Sequence, residues 1–229
     1  MLGERNDGQL LGAVDDRRSR APRFMSRLEG ASIWRGWDVA QGSPPPSPAE
    51  FNDGTEVGGE RAHYELLALA GRGFRPPQFL TIDGALDRDV DDVERPTGRR
   101  GPRLSWSVEY RWIAETAPDV AIPYAIYLLG VNPPPDVTDA ELETFNDFYT
   151  NVHLREVAER RHALRAERFE RERVFLPPAK GAPRFLAVYE VDEAGASQRR
   201  HVGPPYSSGP DVWQRHTTPW RLWYRRVPP

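Results

Sequence analysis

Residues 182–193, APRFLAVYEVDE, repeat a pattern that first occurs at residues 76–87, PPQFLTIDGALD. Each stretch contains Pro-x-Phe-Leu, at positions 77–80 in the first and 183–186 in the second. A second match follows in the same order along the chain, between WSVEYRWI and WRLWYRRV. Chance supplies matches in a fixed order less readily than a single one, so the sequence predicts an internal duplication.

The second copy of this duplication can be assigned element by element. Apolar and alternating runs predict four strands, and a helix follows the first of them. The Gly- and Pro-rich segment 194–218 allows at most a short second helix near Val212 to Arg215. The order strand-helix-strand-strand-(helix)-strand is that of a ferredoxin-like unit. The predicted bounds are a helix at 138–161 and strands at 122–131, 162–175, 183–191 and 219–227.

The first copy is predicted to be degenerate. It begins with 23–41, which resembles 155–173, but it lacks a clear opening strand. An insertion at 43–74 contains GERAHYELLALAG, residues 59–71, whose spacing of Tyr64, Leu67 and Leu69 predicts a helix. The predicted fold class is therefore α+β, with two ferredoxin-like βαββαβ units forming one pseudo-symmetric α/β barrel. The predicted divisions are a mobile tail at 1–22, the degenerate unit at 23–120 and the second unit at 121–229.

The predicted helix of the second copy contains FNDFYTNVHLREVAERR, residues 145–161. Its apolar and aromatic residues recur at offsets 0, 3, 4, 7, 8 and 12, which is helical spacing. This places Tyr149 and His153 one turn apart on the face that packs against the protein. A neutral imidazole there can accept and return a proton, and the phenol can orient it or donate to an oxyanion. Equally, His153 can bond a backbone carbonyl as an ordinary core residue.

The helix FNDFYTNVHLREVA resembles the signature of EthD-like proteins, members of the dimeric α/β-barrel superfamily. The strand PRFLAVYE and the terminal WYRR segment are similar to the same family. The resemblance covers 122–229 well and 23–113 weakly. It implies a sheet with helices on one face and a second sheet on the other, which enclose a pocket. It also implies cofactor-free chemistry on hydrophobic, often aromatic or polyketide-derived compounds, although some family members have no known catalysis.

Aromatic residues of the predicted strands are the candidate ligand contacts. Alternation places Trp220 and Tyr224 on one sheet face, and Trp106 and Tyr110 repeat that face in the first copy. Aromatic walls with a polar group suit a flat hydrophobic ligand, so we expect a cavity of roughly 300 Å³ near His153. The alternative is that these rings fill the space between two sheets. The same two interpretations apply to Tyr124, Tyr189 and Trp213.

Composition excludes several classes of function. The net charge of −3 gives no general attraction to nucleic acid, and no run reaches the ~18 apolar residues of a membrane span. Without cysteine there is no thiolate nucleophile or cysteine-bound metal, and the only lysine, Lys180, lies in a predicted loop. His63, His162, His201 and His216 lack metal-ligand spacing, so neither a metal nor another cofactor is expected. The cytoplasm is the expected location.

The resemblance implies two functions, and use of both sheets as an oligomer interface, with no pocket, is a third possibility. The first is a cofactor-independent enzyme, of isomerase, cyclase, dehydratase or monooxygenase type, acting on a small aromatic or polyketide-like substrate with His153 as acid/base. The second is a non-catalytic small-molecule binding or carrier protein of the same fold. The expected partner is a small hydrophobic ligand, and the chain is expected to be a monomer or a homodimer. The charged residues from Arg155 to Arg173 are interpreted as a solvated face.

Overall fold

The computed structural model describes residues 30–51, 61–69, 76–84, 101–117, 122–178, 181–198 and 205–228. The predicted tail at 1–22, Lys180 and His201 lie outside the described residues. Eight strands make up most of the fold. Their bounds are β1 Ala31–Asp38, β2 Arg61–Leu69, β3 Phe79–Asp83, β4 Arg103–Glu115, β5 Ala125–Asn132, β6 Arg165–Leu176, β7 Phe185–Val191 and β8 Thr217–Arg226.

All eight strands pair antiparallel and close into one barrel with the order β1-β3-β2-β8-β5-β7-β6-β4. The predicted α+β class, with two ferredoxin-like βαββαβ units in an α/β barrel, is therefore wrong. β2 hydrogen-bonds directly to β8, and β4 to β6. These pairings join the edges of the two predicted sheets, so there is a single closed sheet rather than two. Closure removes the unpaired edges that a four-stranded sheet would expose.

The internal duplication is visible in the strand order. Read around the barrel, the first half runs β4-β1-β3-β2 and the second half β8-β5-β7-β6. The strands that contain the matching Phe-Leu pairs, β3 and β7, hold the same place in their halves. The strand order is therefore repeated, although the predicted fold class is wrong. It gives β1 the place of β5, so the match of 23–41 with 155–173 is wrong, and β1 is the opening strand that the first copy was predicted to lack.

The predicted helix at 59–71 is also wrong, because residues Arg61–Leu69 form strand β2. Ala62 and Tyr64 are buried in the barrel interior, and Leu66 packs against the same cluster. This two-residue alternation matches a strand, and the pairing of β2 with β3 and β8 makes it the lower-energy arrangement. Leu67 faces the other way, so the spacing that suggested a helix combined residues from both faces.

One long helical segment covers the outside of the second half. It consists of α1 Asp139–Phe148, a π turn at Tyr149–His153 and α2 Leu154–Arg160. Thr138 caps its start in a capping box with Glu141. Further along the chain, α3 Glu193–Ser197 and α4 Asp211–Gln214 are one turn or slightly longer, and a 3₁₀ turn spans Pro48–Phe51. Among the described residues, no helix has the length and apolar composition needed to cross a membrane.

Two tyrosines inside the barrel tie its halves together reciprocally. The Tyr110 hydroxyl on β4 donates to the Pro183 carbonyl, 3.1 Å away, in the second half. The equivalent Tyr224 hydroxyl on β8 donates to the Pro77 carbonyl, also at 3.1 Å, in the first half. Each prolyl carbonyl lies just before β3 or β7, so the same bond is made twice by the two repeats.

We expect Tyr110→Phe and Tyr224→Phe to lower the free energy of unfolding by similar amounts, about 1 kcal/mol each. Each change removes one buried hydrogen bond and leaves a carbonyl without its donor. Urea denaturation monitored by tryptophan fluorescence measures both losses. The matched control is Tyr124→Phe, because Tyr124 is 36% exposed and should lose less than about 0.5 kcal/mol. A loss confined to only one of the two interior tyrosines would contradict their equivalence.

Candidate functional site

The candidate residues identified from sequence lie on opposite faces of the barrel wall. Trp106, Tyr110, Trp220 and Tyr224 belong to the interior cluster. Tyr149, Tyr189 and Trp213 belong to the cluster between the outer barrel face and the helices, and the His153 ring packs at a tilt against the Trp213 ring there. Tyr124 lies before β5 and is partly exposed. The structure therefore does not place His153 beside the interior aromatic residues.

The interior aromatic residues pack against each other and against the backbone. The Trp106 and Trp220 rings lie 5.3 Å apart between centroids. A methyl group at Gly36 would collide with Trp106, and one at Gly130 would lie 2.9 Å from Trp220 Cβ. With both tyrosine hydroxyls bonded to carbonyls, this arrangement supports the alternative interpretation, in which these rings fill the barrel.

The second group forms what we call the helix-layer site, made of Tyr149, His153, Arg168, Tyr189, Tyr206 and Trp213. His153 is 7% exposed, and its ring centroid lies 4.6 Å from Trp213 and 5.9 Å from Tyr149. Both Tyr149 and His153 belong to the π turn, whose extra residue shifts the side chains that follow. π turns inside helices occur frequently at functional sites.

A short loop at 205–210 covers the imidazole. Its Tyr206 ring lies 5.2 Å from the His153 ring, and the Arg160 guanidinium stacks on Tyr206 at 4.2 Å. The backbone N–H and the hydroxyl of Ser207 both donate to the Glu156 carboxylate on α2. Arg160 also donates to the Pro205 carbonyl at 3.0 Å. These bonds hold an aromatic cover over the histidine and limit the access of water to it.

Burial lowers the pKa of His153 to about 4. The carboxylate of Glu156, 3.9 Å from Nδ1, raises it only in part. The imidazole is therefore neutral at physiological pH and acts as a hydrogen-bond acceptor at its unprotonated nitrogen. Nδ1 is buried and has no hydrogen-bond partner within the described part of the chain.

Two phenol groups in this layer also lack partners. Tyr149 and Tyr189 are fully buried, and neither hydroxyl has a hydrogen-bond partner among the residues that the structure describes. Burial raises the pKa of both groups, so both remain protonated donors. Neighbouring phenols, including those of Tyr127 and Tyr206, raise the pKa of Tyr189 further. Buried donors without acceptors are rare in folded proteins and indicate a place where a ligand or water completes the bonding.

Arg168 is the residue of this site that the sequence interpretation missed. It is fully buried, and its guanidinium stacks on the Tyr149 ring at 4.3 Å. The interpretation of Arg155 to Arg173 as a solvated face is wrong for Arg165, Glu167 and Arg168, which are all buried on β6. For Arg165 and Glu167, alternation along the predicted strand 162–175 already indicated burial. Arg165 and Glu167 share parity with Phe169, and an apolar Phe169 indicates the interior face.

A second buried polar group, the interior charged cluster, lies at one end inside the barrel. Arg165 donates to Glu190 through Nε at 3.1 Å and Nη2 at 3.0 Å. Glu167 lies 3.7 Å from the same Nη2, beyond hydrogen-bond reach. Neither Glu167 oxygen has a hydrogen-bond partner in the described ranges. The remaining charged or titratable neighbours are Tyr64, Glu115 and Arg226.

Neither comparisons with known proteins nor the arrangement of possible metal ligands assigns a function to either of these two sites. No family model and no curated protein match the chain. The resemblance to EthD-like proteins therefore stays a prediction. Within the described residues, no group of three or more His, Asp or Glu side chains is arranged to hold a metal ion. In the helix-layer site, the groups that can take part in chemistry are Arg168, His153 and the phenols.

Proposed function

We propose that the protein is a cofactor-independent enzyme for a small, hydrophobic, aromatic or polyketide-like substrate, with His153 as the acid/base and Tyr149 assisting. The observation that carries the proposal is the group of unpaired buried atoms: the Tyr149 and Tyr189 hydroxyls and His153 Nδ1. They lie in a layer of aromatic rings that suits a flat ligand. This moves the proposed site from the barrel interior to the helix layer.

The proposed first step is a proton transfer. A neutral His153 accepts a proton from an acidic O–H or C–H group of the substrate, and the charge left on the substrate oxygen is stabilised by the Tyr149 hydroxyl and by Arg168. The cover formed by Tyr206 excludes water and strengthens these interactions. The low pKa of His153 makes it a weak base in the free protein. A developing negative charge nearby raises that pKa and favours the transfer.

A non-catalytic carrier is the second candidate, and the same pKa favours it. A base with a pKa of about 4 lies well below physiological pH, whereas efficient general bases have values near the working pH. In a carrier, the unpaired groups would only hold the ligand. The two candidates differ in what removal of the imidazole does, because a carrier loses affinity and an enzyme loses turnover.

The test uses anthrone and 1-naphthol as probes. Saturable quenching of tryptophan fluorescence measures binding, since Trp213 lies in the site, and product analysis of anthrone in air measures turnover. We expect His153→Asn to abolish conversion while affinity stays within about tenfold. Tyr149→Phe should weaken binding by about five- to thirtyfold, from the loss of one buried hydrogen bond. With a His153 pKa of about 4, activity should not titrate through this group between pH 5.5 and 8.

The matched control is His162→Asn. His162 is exposed and has a φ of 50°, a conformation that asparagine adopts readily. It should behave like the wild type in both assays. Binding without turnover, weakened by His153→Asn, would select the carrier. Absence of saturable binding of both probes would overturn both candidate functions.

The partner and the location follow from this proposal. The proposed partner is a small hydrophobic ligand rather than a nucleic acid or a membrane. The chain has no cysteine, so its folding needs no oxidising compartment, which supports the cytoplasm as the proposed location.

A further inference from the structure

Arg168 is a buried cation without a carboxylate partner among the described residues. Its Nη1 donates to Thr150 Oγ1 at 2.7 Å and to the Asn146 carbonyl at 3.4 Å, and its Nη2 donates to Asn146 Oδ1 at 2.5 Å, so these three acceptors are neutral. Glu170 is the acidic neighbour, but its carboxylate is bonded to Arg111 at 2.9 Å and to Arg184 at 3.4 Å. Burial lowers the pKa of Arg168 to about 10, which still leaves it charged at neutral pH. A buried charge without a counter-charge is costly.

The donors and acceptors of the site are unbalanced. Arg168 Nε is buried without a hydrogen-bond partner in the described part of the chain, like the Tyr149 and Tyr189 hydroxyls. Both tyrosines are electrostatic neighbours of the guanidinium. Three donors therefore lack an acceptor. His153 Nδ1, which is an acceptor in the tautomer that carries its proton on Nε2, also lacks a partner.

We propose that the ligand of the helix-layer site carries an acidic hydroxyl, as in a phenol or the enol of a ketone, and that it binds as the oxyanion beside Arg168. This inference rests on the proposed function, because it concerns the same site. The ligand oxygen accepts from Arg168 Nε and the phenols. Its O–H bond breaks and the proton forms an N–H bond at His153 Nδ1, with no change in oxidation state. A ligand that binds as a carboxylate would bring no proton for that nitrogen.

The experiment uses 4-nitrophenol and its methyl ether, 4-nitroanisole, which cannot ionise. At a pH one unit below the pKa of free nitrophenol, the bound compound should show the nitrophenolate absorption band. We expect its pKa to fall by at least one unit, which equals about a tenfold preference of the site for the anion. Nitroanisole should bind at least tenfold more weakly. Arg168→Gln should abolish the spectral shift, and Arg168→Lys should keep part of it because the charge remains.

The matched control is Arg173→Gln, an exposed arginine that stacks on Phe175 of the same strand. It should leave the spectral shift unchanged. Arg168 also anchors Asn146 and Thr150, so circular dichroism checks that Arg168→Gln is folded, and Thr150→Val removes one anchor while keeping the charge.

Each outcome separates the two proposals. Equal binding of both compounds, with the bound nitrophenol neutral, overturns the oxyanion and leaves the proposed function standing. A spectral shift that persists in folded Arg168→Gln overturns the role of Arg168. If neither compound binds the wild type although anthrone or 1-naphthol does, the oxyanion proposal fails and the proposed function stands; if none of the four compounds binds, both proposals fail. If Arg168→Gln does not fold, the wild-type spectrum and Thr150→Val still decide, since an intact Arg168 should retain the anion band.

Discussion

Replacing Arg165 with methionine is expected to lower the free energy of unfolding by about 3–5 kcal/mol at pH 7, enough to unfold a marginal domain. Arg165 is the cation that bonds Glu190 and lies nearest Glu167 inside the barrel. Its removal leaves the buried Glu190 carboxyl group without the guanidinium that bonds it twice, and Glu167 without its nearest cation. Urea denaturation at several pH values measures the effect. The loss should become smaller as the pH is lowered, because burial raises the pKa of Glu190 and a protonated carboxyl group needs no counter-charge.

A double variant makes the origin of the loss testable. Replacing an entire buried ion pair by apolar residues of similar size is often nearly neutral, so Arg165→Met with Glu190→Met should recover much of the stability. The control is Arg221→Met on β8, where the arginine is exposed and the change should cost less than about 0.5 kcal/mol. If the single Arg165 variant is as stable as this control, the interior charged cluster does not contribute as its geometry indicates.

The second half of the chain could be predicted well because its signals are local. The predicted helix 138–161 is observed as a continuous helical segment from Asp139 to Arg160, and the short helix near Val212 is α4. Capping at Thr138 and alternation along β7 and β8 depend only on neighbouring residues. In the first half, the apolar residues of 59–71 fit a helical period and a strand period about equally. Only their pairing with distant strands makes this segment a strand, β2.

The closed barrel could not be derived from local patterns. The connections β2 to β8 and β4 to β6 join residues more than 50 positions apart. The repeat indicated two equivalent sheets, but nothing in it required their edges to pair. The resemblance favoured an α/β class, whereas the part of the chain that the structure describes has one long helical segment against eight strands.

The proximity of the candidate residues could be predicted in part. Tyr149 and His153 come together because they are one turn apart, and Trp213 joins them from α4. The π turn was not predictable from spacing. Its extra residue leaves Val152 39% exposed and buries Leu154 instead, although the stripe placed Val152 inside. Assigning Trp220 and His153 to one pocket required knowing that the helix covers the outer face of the barrel wall, a tertiary fact.

Glu167 matters for the pH dependence of the whole fold. On β6 it lies directly opposite Glu115 of β4, an arrangement in which like charges repel across strands. The nearest guanidinium already bonds Glu190 in two places. Burial, more than the neighbouring carboxylates, raises the pKa of Glu167 to about 8 from its ordinary value of 4.5. Glu167 is therefore a protonated, neutral acid in the folded barrel at neutral pH.

We expect Glu167→Gln to stabilise the protein increasingly as the pH rises from 5 to 8.5. Below pH 4.5 the carboxyl group is protonated in both the folded and the unfolded state and adds no pH-dependent term. Between pH 4.5 and about 8 only the folded state keeps the proton, so the free energy of unfolding of the wild type falls as pH rises. The shift corresponds to at most about 5 kcal/mol, which glutamine removes because it does not titrate.

Urea denaturation of both proteins at pH 5, 7 and 8.5 measures the difference. The control is Glu172→Gln, because Glu172 is an exposed glutamate on the same strand. A difference between Glu167→Gln and wild type that stays constant over this range would show that Glu167 is already ionised in the folded barrel, and that its charge is balanced there by Arg165.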